Sequence, residues 1–196
     1  TATVNNNTIG AAAGPITNNI VGDYAMYPLQ VTNTTLLATG NTISNINGNS
    51  TLANVIISSG IITTGSTGAN LISQNTIHSL TNNSVAASNS IYAIKTSFAS
   101  TANIIERNNI HSLSITSTNK NCQLVGMLTD AGTATYKNNM VRLGYDAAGV
   151  AITGGYFITG IWEAAGTNNF YYNNVYIGGT EVVSVSNTSC YYSVVN

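Results

Sequence analysis

One short phrase recurs along the chain: an asparagine, a second residue that is usually Asn or Thr, then an apolar residue. It appears as Asn7-Thr8-Ile9, Asn41-Thr42-Ile43, Asn75-Thr76-Ile77, Asn108-Asn109-Ile110, Asn138-Asn139-Met140 and Asn173-Asn174-Val175. The apolar anchors are 34, 34, 33, 30 and 35 residues apart. A chain that repeats itself at such a step is built from stacked, similar units, each too small to bury its own apolar face. Neighbouring columns agree. Ile46, Leu80, Leu113 and Leu143 lie three residues after an anchor, and Val4, Ala38, Ile72, Ile105, Thr135 and Phe170 lie five before one. Midway through each repeat a second apolar pair recurs: Met26 and Leu29, Ile91 and Ile94, Leu124 and Met127, Ile158 and Ile161, Tyr191 and Val194.

Gly, Ser, Thr and Asn stretches separate these runs and read as turns. Each repeat is therefore three short strands joined by turns, and stacking pairs each strand in parallel with its counterpart one repeat on. The asparagine two positions before each anchor shares the anchor's parity and is expected to point inward. A buried amide needs partners. Stacked Asn7, Asn41, Asn75, Asn108, Asn138 and Asn173 can supply them to one another as a ladder. The expected fold is all-β: a right-handed parallel β-helix, a single-stranded solenoid of about six coils of roughly 33 residues spanning residues 1–196.

The phrase 102–113 (ANIIERNNIHSL) together with 90–95 (SIYAIK) resembles the parallel β-helix repeat of pectate lyases, tail-spike proteins and large bacterial surface proteins. The low-charge, Asn- and Thr-rich version is most similar to repeats in secreted or surface proteins of Bacteroidetes-type bacteria. That resemblance covers about residues 4–196 and implies the fold. It does not fix the function, because this fold carries enzymes, adhesins and stalks alike. Residues 1–6 match the strand that precedes an anchor, residues 189–196 stop inside a middle strand, and neither end carries the polar cap a solenoid needs. The segment is accordingly expected to belong to a longer parent chain.

Charged residues make up only 6% of the sequence, against about 25% in an ordinary soluble domain. The five basic residues, Lys95, Arg107, Lys120, Lys137 and Arg142, are too few and too scattered for phosphate neutralisation, so nucleic acid is not an expected partner. No apolar run reaches the length of a membrane span, and membrane insertion is not expected. A hydrophobic fraction of 43% argues against disorder.

Catalytic chemistry on such a fold calls for clustered carboxylates. The six acids, Asp23, Glu106, Asp130, Asp146, Glu163 and Glu181, fall in different columns; Glu163 and Asp130, one coil apart, come nearest to a pair. No catalytic residue, metal ligand set or cofactor is assigned. His78 and His111 follow successive anchors and should stack on the outer face, in a column continuing as Val141 and Tyr176. Cys122 and Cys190 lie two coils apart, roughly 10 Å and beyond disulfide reach, and are expected as free thiols. The least ordinary surface is the corner before the anchor. There Glu106-Arg107, Tyr136-Lys137 and Tyr171-Tyr172 occupy equivalent places, with Arg142, Tyr176 and Trp162 in the same half of the chain. Arg107, Tyr136, Lys137, Tyr171 and Tyr172 are the candidate binding residues, for a glycan or a protein surface. The expected function is a non-catalytic structural or adhesive module of a secreted or cell-surface bacterial protein. The alternative is a carbohydrate-active lyase or hydrolase of the β-helix class.

Overall fold

A computed structural model of the chain describes residues 1–19, 22–50, 55–86, 88–179 and 191–195. Every named element among the described residues is a β-strand, and all strand pairs are parallel. Three sheets run along a parallel β-solenoid. The first holds Ala2–Asn5, Leu36–Thr39, Leu71–Ser73, Asn103–Glu106, Ala134–Lys137 and Asn169–Tyr171. The second holds Thr8–Ile9, Thr42–Asn49, Thr76–Asn82, Asn109–Ile115, Met140–Leu143 and Asn174–Ile177, with Ile16–Asn19 beside its first members. The third holds Tyr24–Met26, Ile56–Thr64, Ser90–Ser97, Gln123–Ala131, Phe157–Glu163 and Tyr191–Val195, with Leu29–Thr32 alongside. Six passes through the first sheet bound about five turns, where six anchor phrases read as about six coils.

The third sheet stacks as its apolar pairs require. Ile91, Leu124 and Ile158 align, as do Ile61, Ile94, Met127 and Ile161, and all of these except Ile61 come from the sequence pairs. Gly126 stands between two of them because a Cβ there would lie 2.5 Å from the Gly160 carbonyl oxygen and from Val141 Cγ1. Together with the inward faces of the first two sheets, these residues form one continuous core.

The asparagine ladder stands at the corner between the first and second sheets. Asn7, Asn41, Asn75, Asn108, Asn139 and Asn173 are its rungs, spaced 34, 34, 33, 31 and 34 residues apart. Each Oδ1 from Asn41 onward accepts from the backbone N–H and the Nδ2 of the rung before it, at 2.9–3.1 Å. The second Nδ2 hydrogen of Asn41, Asn75, Asn108, Asn139 and Asn173 goes back to the carbonyls of Val4, Ala38, Ile72, Ile105 and Tyr136. A primary amide has two donors and two acceptor sites. Asn41, Asn75, Asn108 and Asn139 therefore have every site filled, which is why they tolerate complete burial.

The fifth coil corrects the sequence register by one residue. Asn109 pairs with Met140 and Ile110 with Val141. The buried anchor is Val141, while Met140 faces outward at 54% exposure. The rung is Asn139 and not Asn138, which sits outside in a left-handed conformation (φ 54°). The slip carries back into the first sheet, where Tyr136 and not Thr135 aligns with Ile105 and Phe170. Both asparagines precede an apolar residue at the right interval, so the phrase alone fits either frame.

A second, shorter amide column opens the first sheet. Asn70 Nδ2 donates to Asn103 Oδ1 at 2.7 Å, the Leu36 N–H to Asn70 Oδ1, and the Ala134 N–H to Asn168 Oδ1. Where the fifth strand of the second sheet ends early, the buried Tyr156 hydroxyl substitutes for a strand neighbour. It accepts from the Ile115 N–H and donates to the Ile115 carbonyl, both at 3.1 Å.

Candidate binding surface

The corner is built by one backbone device. The residue before each ladder rung takes a left-handed conformation: Asn6, Gly40, Gln74, Arg107, Asn138 and Tyr172, with φ between 54° and 67°. Only glycine adopts this region without cost, and asparagine tolerates it. Arg107 and Tyr172 are thus held, at some strain, with their side chains outside the coil. Tyr172 is 88% exposed and its neighbour Tyr171 50%. Beside this line runs the outer column Glu106–Lys137–Tyr171. Lys137 Nζ lies 3.2 Å from Glu106 Oε2, and Ser73 Oγ donates to Glu106 Oε1 at 3.4 Å.

Of the five candidate residues, Arg107, Lys137, Tyr171 and Tyr172 share this corner. Tyr136 does not: the one-residue shift of the fifth coil turns it inward, to 1% exposure. Its ring stacks on Phe170 with centroids 5.0 Å apart, and its hydroxyl bonds Thr96 Oγ1 at 2.6 Å. Burial pushes the phenol up to about 12, more than its hydrogen bond to Thr96 pulls it down. Exposed Met140, one strand position past the ladder, takes a place at the corner that sequence reading assigned to the core.

The outer face of the second sheet continues the surface. Its column runs Ser44, His78, His111, Arg142, Tyr176, so Arg142 and not Val141 follows the histidines. The two imidazoles stack with centroids 4.9 Å apart and planes 8° from parallel. Each Nδ1 lies 2.9 Å from the hydroxyl of the next residue, Ser79 or Ser112. Both serines are left-handed, with φ of 54° and 56°. Arg142 lies over the Tyr145 ring at 5.1 Å. A hydrogen bond with Tyr145 is the main reason Tyr176 ionises less readily than a free phenol. Burial lowers both histidine pKa values; His78 and Arg142 lower that of His111 further.

The described acids have structural partners. Asp23 accepts from the Val55 N–H, Asp130 pairs with Lys95 at 2.9 Å, and Glu106 pairs with Lys137. Asp146 accepts from the N–H groups of Ala148 and Val150 within its own loop. Glu163 accepts from Asn168 Nδ2 at 2.7 Å. Glu163 aligns with Thr129, so Asp130 and Glu163 do not share a column. Cys122 is buried with its thiol 3.6 Å from the Ala86 carbonyl; Cys190 and Glu181 lie outside the described residues.

Loops between the second and third sheets form a groove of about 710 Å³, lined among others by Val85, Ser117, Lys120, Asn121, Thr153 and Gly154. A smaller hollow of about 400 Å³ shares Lys120 and Asn121 and reaches Phe157 and Trp162. Trp162 therefore stands apart from the corner it was grouped with. Irregular loops carry no repeat signal, so these hollows have no signature in the sequence. No protein-family model matches the chain, and no curated protein and no solved structure matches it either.

Proposed function

We propose that the chain is a non-catalytic, structural and adhesive β-helix module of a secreted or cell-surface bacterial protein, and that its ladder corner holds a neutral or weakly acidic glycan. The observation that carries this reading is Tyr172, an almost fully exposed aromatic ring in a left-handed conformation that glycine would adopt at no cost. Strain kept at a surface position is a reason to look for a function there. Tyr171 and Met140 add apolar area beside it, and Arg107 and Lys137 add donors. Rings with an apolar face and polar edge suit sugar stacking, and guanidinium groups suit sugar carboxylates.

Two further points favour adhesion over turnover. The described carboxylates are each engaged by a loop amide, an ion pair or a side-chain amide. The resemblance of segments 90–95 and 102–113 to repeats of large bacterial surface proteins supports the location. The test is a glycan array read beside a reducing-sugar assay, for the wild-type chain and for Tyr171→Ala with Tyr172→Gly. Binding without release of sugar, lost in the double variant, is expected. Binding unchanged by that variant would remove the corner. Sugar release abolished by Glu163→Gln would replace adhesion by the lyase or hydrolase reading.

A further inference from the structure

We infer that the column His78–His111–Arg142 on the outer face of the second sheet is a binding site for sulfate-type oxyanions, free or as an ester on a polymer, and that it fills as pH falls. The inference stands apart from the glycan reading of the corner and does not need it.

Parallel pairing puts the three side chains on successive coils, in one line along the solenoid, at the strand spacing of about 4.8 Å. The stacked rings keep that order. Each Nδ1 is engaged by its own serine hydroxyl, which fixes the ring and leaves Nε2 without a protein partner among the described residues. Arg142 supplies a permanent charge at one end and is steadied by Tyr145.

Among the described residues, the charged and titratable groups facing the column are few. Ser44 lies before it and Tyr176 after it, with Tyr145 against Arg142. The nearest acid in sequence, Asp146, is turned to the amides of Ala148 and Val150. Protonating both histidines therefore places up to three positive groups in a row with no carboxylate paired to any of them among the described residues. An oxyanion across Nε2 of both rings and the guanidinium answers that imbalance and accepts a charge-assisted hydrogen bond from each. A sulfate keeps its full charge through the range where histidine titrates, whereas a carboxylate begins to lose its own nearby at about pH 4. The lowered histidine pKa values fit a site that carries only the Arg142 charge at and above about pH 6.5 and gains further charge as pH falls below it.

The chain has only two histidines, so each titration is read directly by NMR of the ring Cε1–H signals. Titrations run from about pH 8 to about pH 5. They use sodium chloride and sodium sulfate at equal ionic strength, then dextran and dextran sulfate. Circular dichroism at each pH keeps the comparison within the folded state. Sulfate should raise both midpoints relative to chloride, and its affinity should rise at least about tenfold across the titration, the equivalent of one unit of midpoint shift. Arg142→Gln should raise the His111 midpoint in chloride, by removing repulsion, and abolish most of the sulfate response. A response to inorganic sulfate identifies a free-anion site; a response to dextran sulfate alone identifies a polymer-borne ester. Equal midpoints in all four media, or a sulfate response intact in Arg142→Gln, would overturn the inference.

Discussion

Asn108 Nδ2 donates to Asn139 Oδ1 at 2.9 Å, and the Asn108 backbone N–H reaches the same oxygen at 3.0 Å. This pair fixes the frame of the fifth coil. It places Tyr136 inside, Met140 outside and Arg142 in line with the histidines. Replacing Asn108 by Leu leaves the Asn75 N–H and side-chain amide without their acceptor, takes one of two donors from Asn139 Oδ1 and removes the Asn108 amide from the Ile72 carbonyl. Each unsatisfied buried group costs about 1–3 kcal/mol. Asn108→Leu should lower the chemical-denaturation midpoint by the equivalent of about 3 kcal/mol or more. A midpoint unchanged by that substitution would contradict the ladder.

Tyr136→Ala should behave as a core truncation. Removing a ring stacked on Phe170 costs about 3–5 kcal/mol, whereas an exposed strand tyrosine would cost under about 0.5 kcal/mol. Tyr136→Phe keeps the ring and loses the bond to Thr96, about 1 kcal/mol. Alkaline titration gives an independent check. The folded-state phenol ionises near 12 and the unfolded one near 10.0, so the unfolded chain loses its proton first. Stability should fall as pH rises from about 10 to about 12, and Tyr136→Phe should flatten that fall.

The histidine column predicts acid sensitivity in chloride. Both folded-state pKa values lie below the ordinary 6.5, so the unfolded chain binds protons first as pH drops. Stability is fully present above that value and declines below it, until the folded-state values are passed. Thermal melts of wild type and of the double variant His78→Gln, His111→Gln isolate the term. The wild type should lose more stability between about pH 7 and about pH 5 than the variant. Parallel pH profiles would show that the histidines make no contribution.

At the corner, function and stability should separate. Tyr172→Gly relieves a left-handed conformation that costs a side-chain-bearing residue about 1–2 kcal/mol, partly offset by the entropy of glycine in the unfolded chain. Its midpoint should be unchanged or slightly higher while any glycan binding falls. A clear loss of stability would make Tyr172 a structural residue.

Most of the solenoid was legible because its signals repeat. An inward asparagine and an apolar anchor two residues on recur in every coil, and the middle-strand pairs align as spaced. The fifth coil misleads because Asn138 and Asn139 adjoin and Met140 and Val141 are both apolar, so two frames satisfy the phrase. The signal that separates them lies just before the rung, where each coil needs a left-handed residue, and Asn138 suits that position. The steps also favour it, since 31 and 34 depart less from the other coils than 30 and 35. The same slip hid the Arg142 continuation of the histidine column and moved Tyr136 to the wrong face. The loop groove was invisible because insertions of unequal length obey no period.

The comparison of Asn138→Gly with Asn139→Leu tests the ladder frame most directly. Asn138 is exposed and left-handed, a place where glycine fits without cost. Asn139 is buried and accepts two bonds from Asn108 while donating to Ile105 and Asn173. Chemical denaturation should show Asn138→Gly within about 0.5 kcal/mol of wild type and Asn139→Leu destabilised by about 3 kcal/mol or more. The reverse order, with position 138 sensitive and position 139 tolerant, would contradict the frame and with it the placement of Tyr136, Met140 and Arg142.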